Sequence, residues 1–108
     1  MSKKASKEEK MQKPLAPVEM FACLDDKGEN YLVEIELPGA EKKSIDLRMH
    51  DDLISVRAER ADVTLMGHLH FPLKVNPKKA LASFKQGLLL VQVPVREKRA
   101  PPLSIKVK

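Results

Sequence analysis

The sequence predicts an all-β fold, an antiparallel sandwich of about seven to eight short strands. Three observations predict it. Alternation of apolar and polar residues recurs along the chain and is cleanest in YLVEIEL, where Tyr31, Val33, Ile35 and Leu37 oppose Leu32, Glu34 and Glu36. Turn signals (DDKGEN, PG, DD, NPKK, QG) punctuate the chain at short intervals. No stretch carries a long apolar pattern of helical period.

The elements follow in order. A lysine-rich start leads into PLAP, which reads as a linker. VEMFACL is a first extended run. DDKGEN is a turn in which Gly28 takes a positive φ and Asp or Asn caps it. YLVEIEL ends at Pro38-Gly39, and AEKKS makes one helical turn or a loop. IDLRMH places Ile45, Leu47 and Met49 on one face, and Asp51-Asp52 turns the chain into LISVRAE. HLHFPLKV reads as another strand, with Pro72 marking an edge or bulge. NPKK turns again, and ALASFK pairs with LLLVQVPV about Gln86-Gly87, a tight hairpin signal. The final PPLSIKVK is a spare amphipathic strand: two prolines forbid a helix, and Leu103, Ile105 and Val107 alternate with Ser104, Lys106 and Lys108. The organisation read here is a flexible basic arm over 1–17, a sandwich over 18–95 and an extension over 96–108.

The 108 residues suffice for one domain and not two. The longest apolar run, GLLLVQVPV, is too short to span a bilayer, so no membrane partner is expected. The start lacks the apolar core of a secretory signal, and the single cysteine, Cys23, fits a reducing compartment; a cytoplasmic location is the expectation. The net charge of +5 raises a nucleic-acid reading. Residues 1–13 carry +3, residues 96–108 carry +4, and residues 14–95 carry −2. The basic excess lies in the tails, and Phe21, Tyr31, Phe71 and Phe84 fall in strand-like runs as core candidates. Solubilising tails, not a nucleic-acid surface, are expected.

No phosphate-cradling glycine cluster and no nucleophile elbow occur, so an enzyme and a cofactor are not expected. Cys23 reads as an inert packed residue, Asp25-Asp26 and Asp51-Asp52 as turn formers, and Lys78-Lys79 as a solvated turn. His68-x-His70 points two imidazoles to one face, which suits a metal, but no third ligand is near and His50 joins only through the fold. No metal site is assigned.

ENYLVEIELPGAEKKSIDLRMHDDLISVRAER resembles the first half of the α-crystallin domain of small heat-shock proteins, on its strand ending in Leu37-Pro38-Gly39 and its two strands about an acidic turn. ALASFKQGLLLVQVPV is similar to the second half, with Ala82, Gly87, Leu88 and Leu89 fitting the family's A-x-x-x-n-G-[VIL]-L signature. Gly87 permits the tight reversal, Ala82 keeps its strand face small, and Leu88, Leu89 and Val91 are expected to feed the core. The resemblance covers roughly 18–95 and implies an immunoglobulin-like sandwich. It also implies a role for the last strand: Ile105-Lys106-Val107 fits the I-x-I/V motif that lies as an added strand in a groove of another domain, with Leu103 one step earlier on the same face. The groove positions carried over are Ile45, Leu47, Ala80 and Ala82.

The implied function is an ATP-independent chaperone that holds exposed apolar segments of unfolding client proteins and self-associates, through its tail and edge strands, into a dimer or small oligomer. The competing reading is a dedicated scaffold or co-chaperone module of the CS-domain kind that binds one partner. Two departures bear on the choice. Only ADVTLMG separates Arg60 from His68, which leaves no long loop for strand exchange and leaves pairing of edges through 62–71. The N-terminal arm is short and lysine-rich where the family's is longer and apolar.

Overall fold

The structure, a computed structural model, describes residues 13–96 and 103–108. The reading of 1–12 as a flexible arm and of 97–102 as a linker lies outside the described residues. Eight strands form: β1 (Leu15–Pro17), β2 (Met20–Leu24), β3 (Asn30–Glu36), β4 (Asp46–His50), β5 (Leu53–Glu59), β6 (Thr64–His70), β7 (Leu81–Lys85) and β8 (Leu88–Pro94). They make two four-stranded sheets, β1-β6-β5-β4 and β2-β3-β8-β7. Every pair is antiparallel except β1 with β6.

The alternation that predicts the strands also builds the core. Tyr31, Val33 and Ile35 on β3 face Leu89, Val91 and Val93 on β8, and Ile54, Val56, Ala58 and Leu65 close the interior from the other sheet. All are buried, so each strand hides one face at the 2.0-residue period. The Tyr31 ring lies 4.8 Å from that of Phe71, and its hydroxyl accepts the Leu73 amide at 3.1 Å. Burying an aromatic body is thereby compatible with a satisfied polar tip.

The turns have local causes. Asp25 accepts the Glu29 amide and the Asn30 side-chain amide, both at 2.9 Å, while Gly28 takes φ +70°. Gln86 and Gly87 both have positive φ, +51° and +81°, which a two-residue type I′ hairpin requires. AEKKS forms one 3-10 turn at Lys42–Ser44.

Three expectations differ. PLAP is not a linker: Leu15–Pro17 pairs in parallel with Thr64–Met66. The Thr64 amide donates to Pro14 and the Val18 amide to Met66, so the missing N–H of Pro17 falls on the unpaired side, where an edge strand tolerates it. ADVTLMG is also not a loop. Arg60 and Val63 exchange backbone bonds across Ala61-Asp62, and β6 starts at Thr64, so the strand lies earlier than HLHFPLKV implied. The 62–71 edge is consequently covered by β1 over Thr64–Met66. Finally, Phe21 is 57% exposed and Cys23 is exposed, because both point to the outer face of their sheet and not into the core.

Candidate peptide-binding groove

The β1–β2 crossover closes one side of the sandwich. The crossover and β2 lie against β6 there, so tightly that a Cβ on Gly67 would sit 2.6 Å from a Val18 methyl and 2.9 Å from the Met20 sulfur. The opposite sides of the two sheets end in β4 and β7. Leu47 and Met49 pair with Val56 and Ile54, and Ala82 and Phe84 pair with Val91 and Leu89. Directly opposed residues share a face, so all four turn inward like their buried partners. Ile45 and Ala80 continue these rows. Ile45, Leu47, Met49, Ala80 and Phe84 are only half-buried and Ala82 is exposed. Two incompletely covered apolar rows thus line the strand edges on this side of the sandwich. At one end, residues 75–77 cross from sheet to sheet, with the Val75 amide donating to Asp51 at 2.7 Å and the Asn76 amide to Pro94 at 2.9 Å.

The structure therefore places the four sequence-predicted groove positions, Ile45, Leu47, Ala80 and Ala82, along these two facing edges. It adds Met49 and Phe84, which the same alternation marks. Ala82 on β7 and Ala80 just before it keep that row small.

The signature residues meet each other. Leu37 is fully buried, and its amide donates to the Gly87 carbonyl at 2.8 Å. Gly39 takes φ +79°, and a Cβ there would lie 2.7 Å from Arg60 Cδ, whose guanidinium reaches the Pro38 carbonyl at 3.3 Å. Leu89 enters the core, but Leu88 does not: it pairs with Lys85 and Glu36 on the outer face, one residue out of phase with Leu89 and Val91.

The last strand-like segment, 103–108, has no strand pairing in the described structure. Leu103, Ile105 and Val107 are 89%, 82% and 91% exposed. A second apolar surface was not read from the sequence. Phe21, Leu32, Leu90 and Leu81 are all exposed and, by register, zigzag across β2, β3, β8 and β7 on the outer face. The alternation hides it, because these are the polar positions of each strand's pattern.

The charged groups serve the frame. Asp51 pairs with Lys74 at 3.6 Å and with Arg96 at 3.4 Å. Glu59 accepts Lys13 at 3.0 Å and the Thr64 hydroxyl at 2.8 Å. The Lys13 bond, then the Thr64 bond, holds its carboxyl below the usual range. Asp25 is lowered likewise by Asn30 and the Glu29 amide, and Asp62 by Arg60. His68 and His70 share a face with ring centres 6.0 Å apart, and His50 lies on that face across β5. Among the described residues no group of three or more His, Cys, Asp or Glu is placed to hold a metal ion. Likewise, no helix among them is long and apolar enough to cross a membrane.

The family model described as the Hsp20/alpha crystallin family matches residues 24–108. The chain belongs to the Hsp20/alpha crystallin family. The match includes the tail and the sandwich from Leu24 onward, leaving β1 and most of β2 outside it. The chain is similar to the 18 kDa antigen of Mycobacterium leprae, with 31% identity over 94 residues covering 74% of this chain and 63% of that one. It is also similar to the 18 kDa heat shock protein of Streptomyces albus G, with 24% identity over 104 residues covering 82% and 71%. The chain spans less than two thirds of the length of the mycobacterial relatives it matches. In fold it is similar to heat shock protein 16.0 from Schizosaccharomyces pombe, with a TM-score of 0.73 at 19% identity, covering 86% of this chain and 99% of that one. This Hsp20-family sandwich leaves β4 and β7 as the edges of its two sheets.

Proposed function

We propose that the chain is an ATP-independent holdase that takes exposed apolar segments of unfolding proteins into the β4/β7 cleft. The observation that carries this reading is the pair of inward, incompletely covered rows, Ile45-Leu47-Met49 and Ala80-Ala82-Phe84, on edges able to add a strand. An extended peptide gains backbone bonds from an edge and buries alternate side chains in the cleft. The zigzag of Phe21, Leu32, Leu90 and Leu81 adds a flat apolar face for less ordered clients.

The same cleft accepts Leu103, Ile105 and Val107 of a neighbouring copy, which gives self-association into a dimer or small oligomer. Family membership and the exposure of those three side chains support this. The test of the holdase is light scattering of several unrelated proteins heated with and without this one. Suppression across all of them is expected. Suppression of none, with a single protein captured, supports the dedicated scaffold instead.

A further inference from the structure

Resting on that reading of the cleft, we infer that its preferred occupant is an extended segment in which apolar residues alternate with Asp or Glu. The chain's own lysine-bearing tail is then a deliberately poor ligand. Charge sets this preference. β4 runs from the Lys42–Ser44 turn toward Asp51, and β7 runs the opposite way, from the Pro77–Lys79 turn toward Lys85. Lys42, Lys43 and Lys85 thus stand at one end of the cleft, and Lys78 and Lys79 at the other.

All five lysines are exposed, and among the described residues none has an ion pair. The acidic groups nearby do not balance them. Asp46 is held by Arg48 at 3.2 Å, and Asp51 is shared by Lys74 and Arg96. Exposed Glu41 and Asp52 remain, one at each end, and Glu34 and Glu36 lie two strands in from Ser83 and Lys85. The rim is net positive.

A strand added at either edge puts alternate side chains into the cleft and the intervening ones outward, among the rim charges. In the tail the outward residues are Ser104, Lys106 and Lys108. They meet charge of their own sign. An occupant with carboxylates at those positions meets the opposite sign and keeps the same apolar contacts. Lysines on an edge also repel other edges of like charge. The same five residues therefore select clients and hold self-association weak.

The test uses the full chain and two labelled peptides, PPLSIKVK and the same peptide carrying Lys106→Glu and Lys108→Glu, read by fluorescence anisotropy. The two apolar faces are identical. At low ionic strength the acidic peptide should bind roughly tenfold tighter. The gap should close as salt shortens the screening length from about 30 Å at 0.01 M to about 3 Å at 1 M. Lys78→Gln with Lys79→Gln and Lys85→Gln should shrink it at low salt. Both peptides should lose binding in Ala82→Phe, which fills the cleft. If the two peptides bind equally, or the basic one binds tighter, and Ala82→Phe still blocks both, the charge selection is wrong and the groove stands. If neither peptide binds, or Ala82→Phe changes nothing, the groove reading falls and the selection with it.

Discussion

The amide of Leu37 donates to the carbonyl of Gly87 at 2.8 Å, which ties the Leu-Pro-Gly segment after β3 to the β7–β8 turn fifty residues away. Each side needs its own backbone. Gly87 holds φ +81°, a conformation that costs an L side chain about 1–2 kcal/mol, and its Cβ position is 3.4 Å from Pro38 Cα. Gly87→Ala is therefore expected to destabilise by about 1–2 kcal/mol. Gln86 holds φ +51° without being glycine, so Gln86→Asn is expected to stabilise by about 0.5–1 kcal/mol. Urea melts of both variants check the pair, and a neutral Gly87→Ala would remove the turn from the account.

That relationship also shows what was legible in the sequence. Gln86-Gly87 announces its turn because only a few residue types accept positive φ, and Leu37 announces burial through the alternation of β3. The row Ile45-Leu47-Met49 follows from the same alternation, whereas the groove positions Ala80 and Ala82 come only from the family resemblance. The start of β6 at Thr64 is not legible, because Ala61-Asp62 carries no glycine and the signal of its turn is a pair of backbone bonds between Arg60 and Val63. β1 was missed because Pro14 and Pro17 argue against a strand unless the unpaired side is known. Phe21 and Cys23 were misplaced because an all-apolar run such as MFACL does not say which face turns outward.

Acid should loosen β1. Lys13, Thr64 and Arg57 surround the Glu59 carboxylate, and its pKa is lowered in the folded state, chiefly by Lys13 and then by Thr64. A depressed folded pKa contributes stability above the unfolded value, and that stability is lost as pH falls through the folded one. Exchange of the Val18 and Thr64 amides, which pair β1 with β6, should then accelerate as pH drops below the ordinary carboxylate range, after correction for intrinsic rates. Glu59→Gln should show that loosening already at neutral pH and a flatter profile. Identical corrected profiles in both proteins would show that the pair does not hold β1.

The tail should drive assembly weakly. Burying Ile105 and Val107 is worth about 1.5–3 kcal/mol each, and ordering the segment opposes it by roughly 1–2 kcal/mol per residue. A single contact is then marginal, and paired tails on a dimer reinforce one another. Ile105→Ser with Val107→Ser is expected to shift sedimentation toward smaller species with no change in melting point. Because the rim and tail are both basic, the wild type should assemble more as salt rises to moderate levels. A collapsed melting point in the double variant would place these residues in their own domain's core.

The cleft itself is tested most directly by titrating unlabelled PPLSIKVK peptide into the isotope-labelled chain truncated at residue 102 and following its amide spectrum. Shifts are expected along both rows, at Ile45, Leu47 and Met49 and at Ala80, Ala82 and Phe84, with little change at Met20–Leu24. Shifts confined to β2 or to the outer face around Leu32 and Leu90, with the two rows unmoved at saturating peptide, would contradict it.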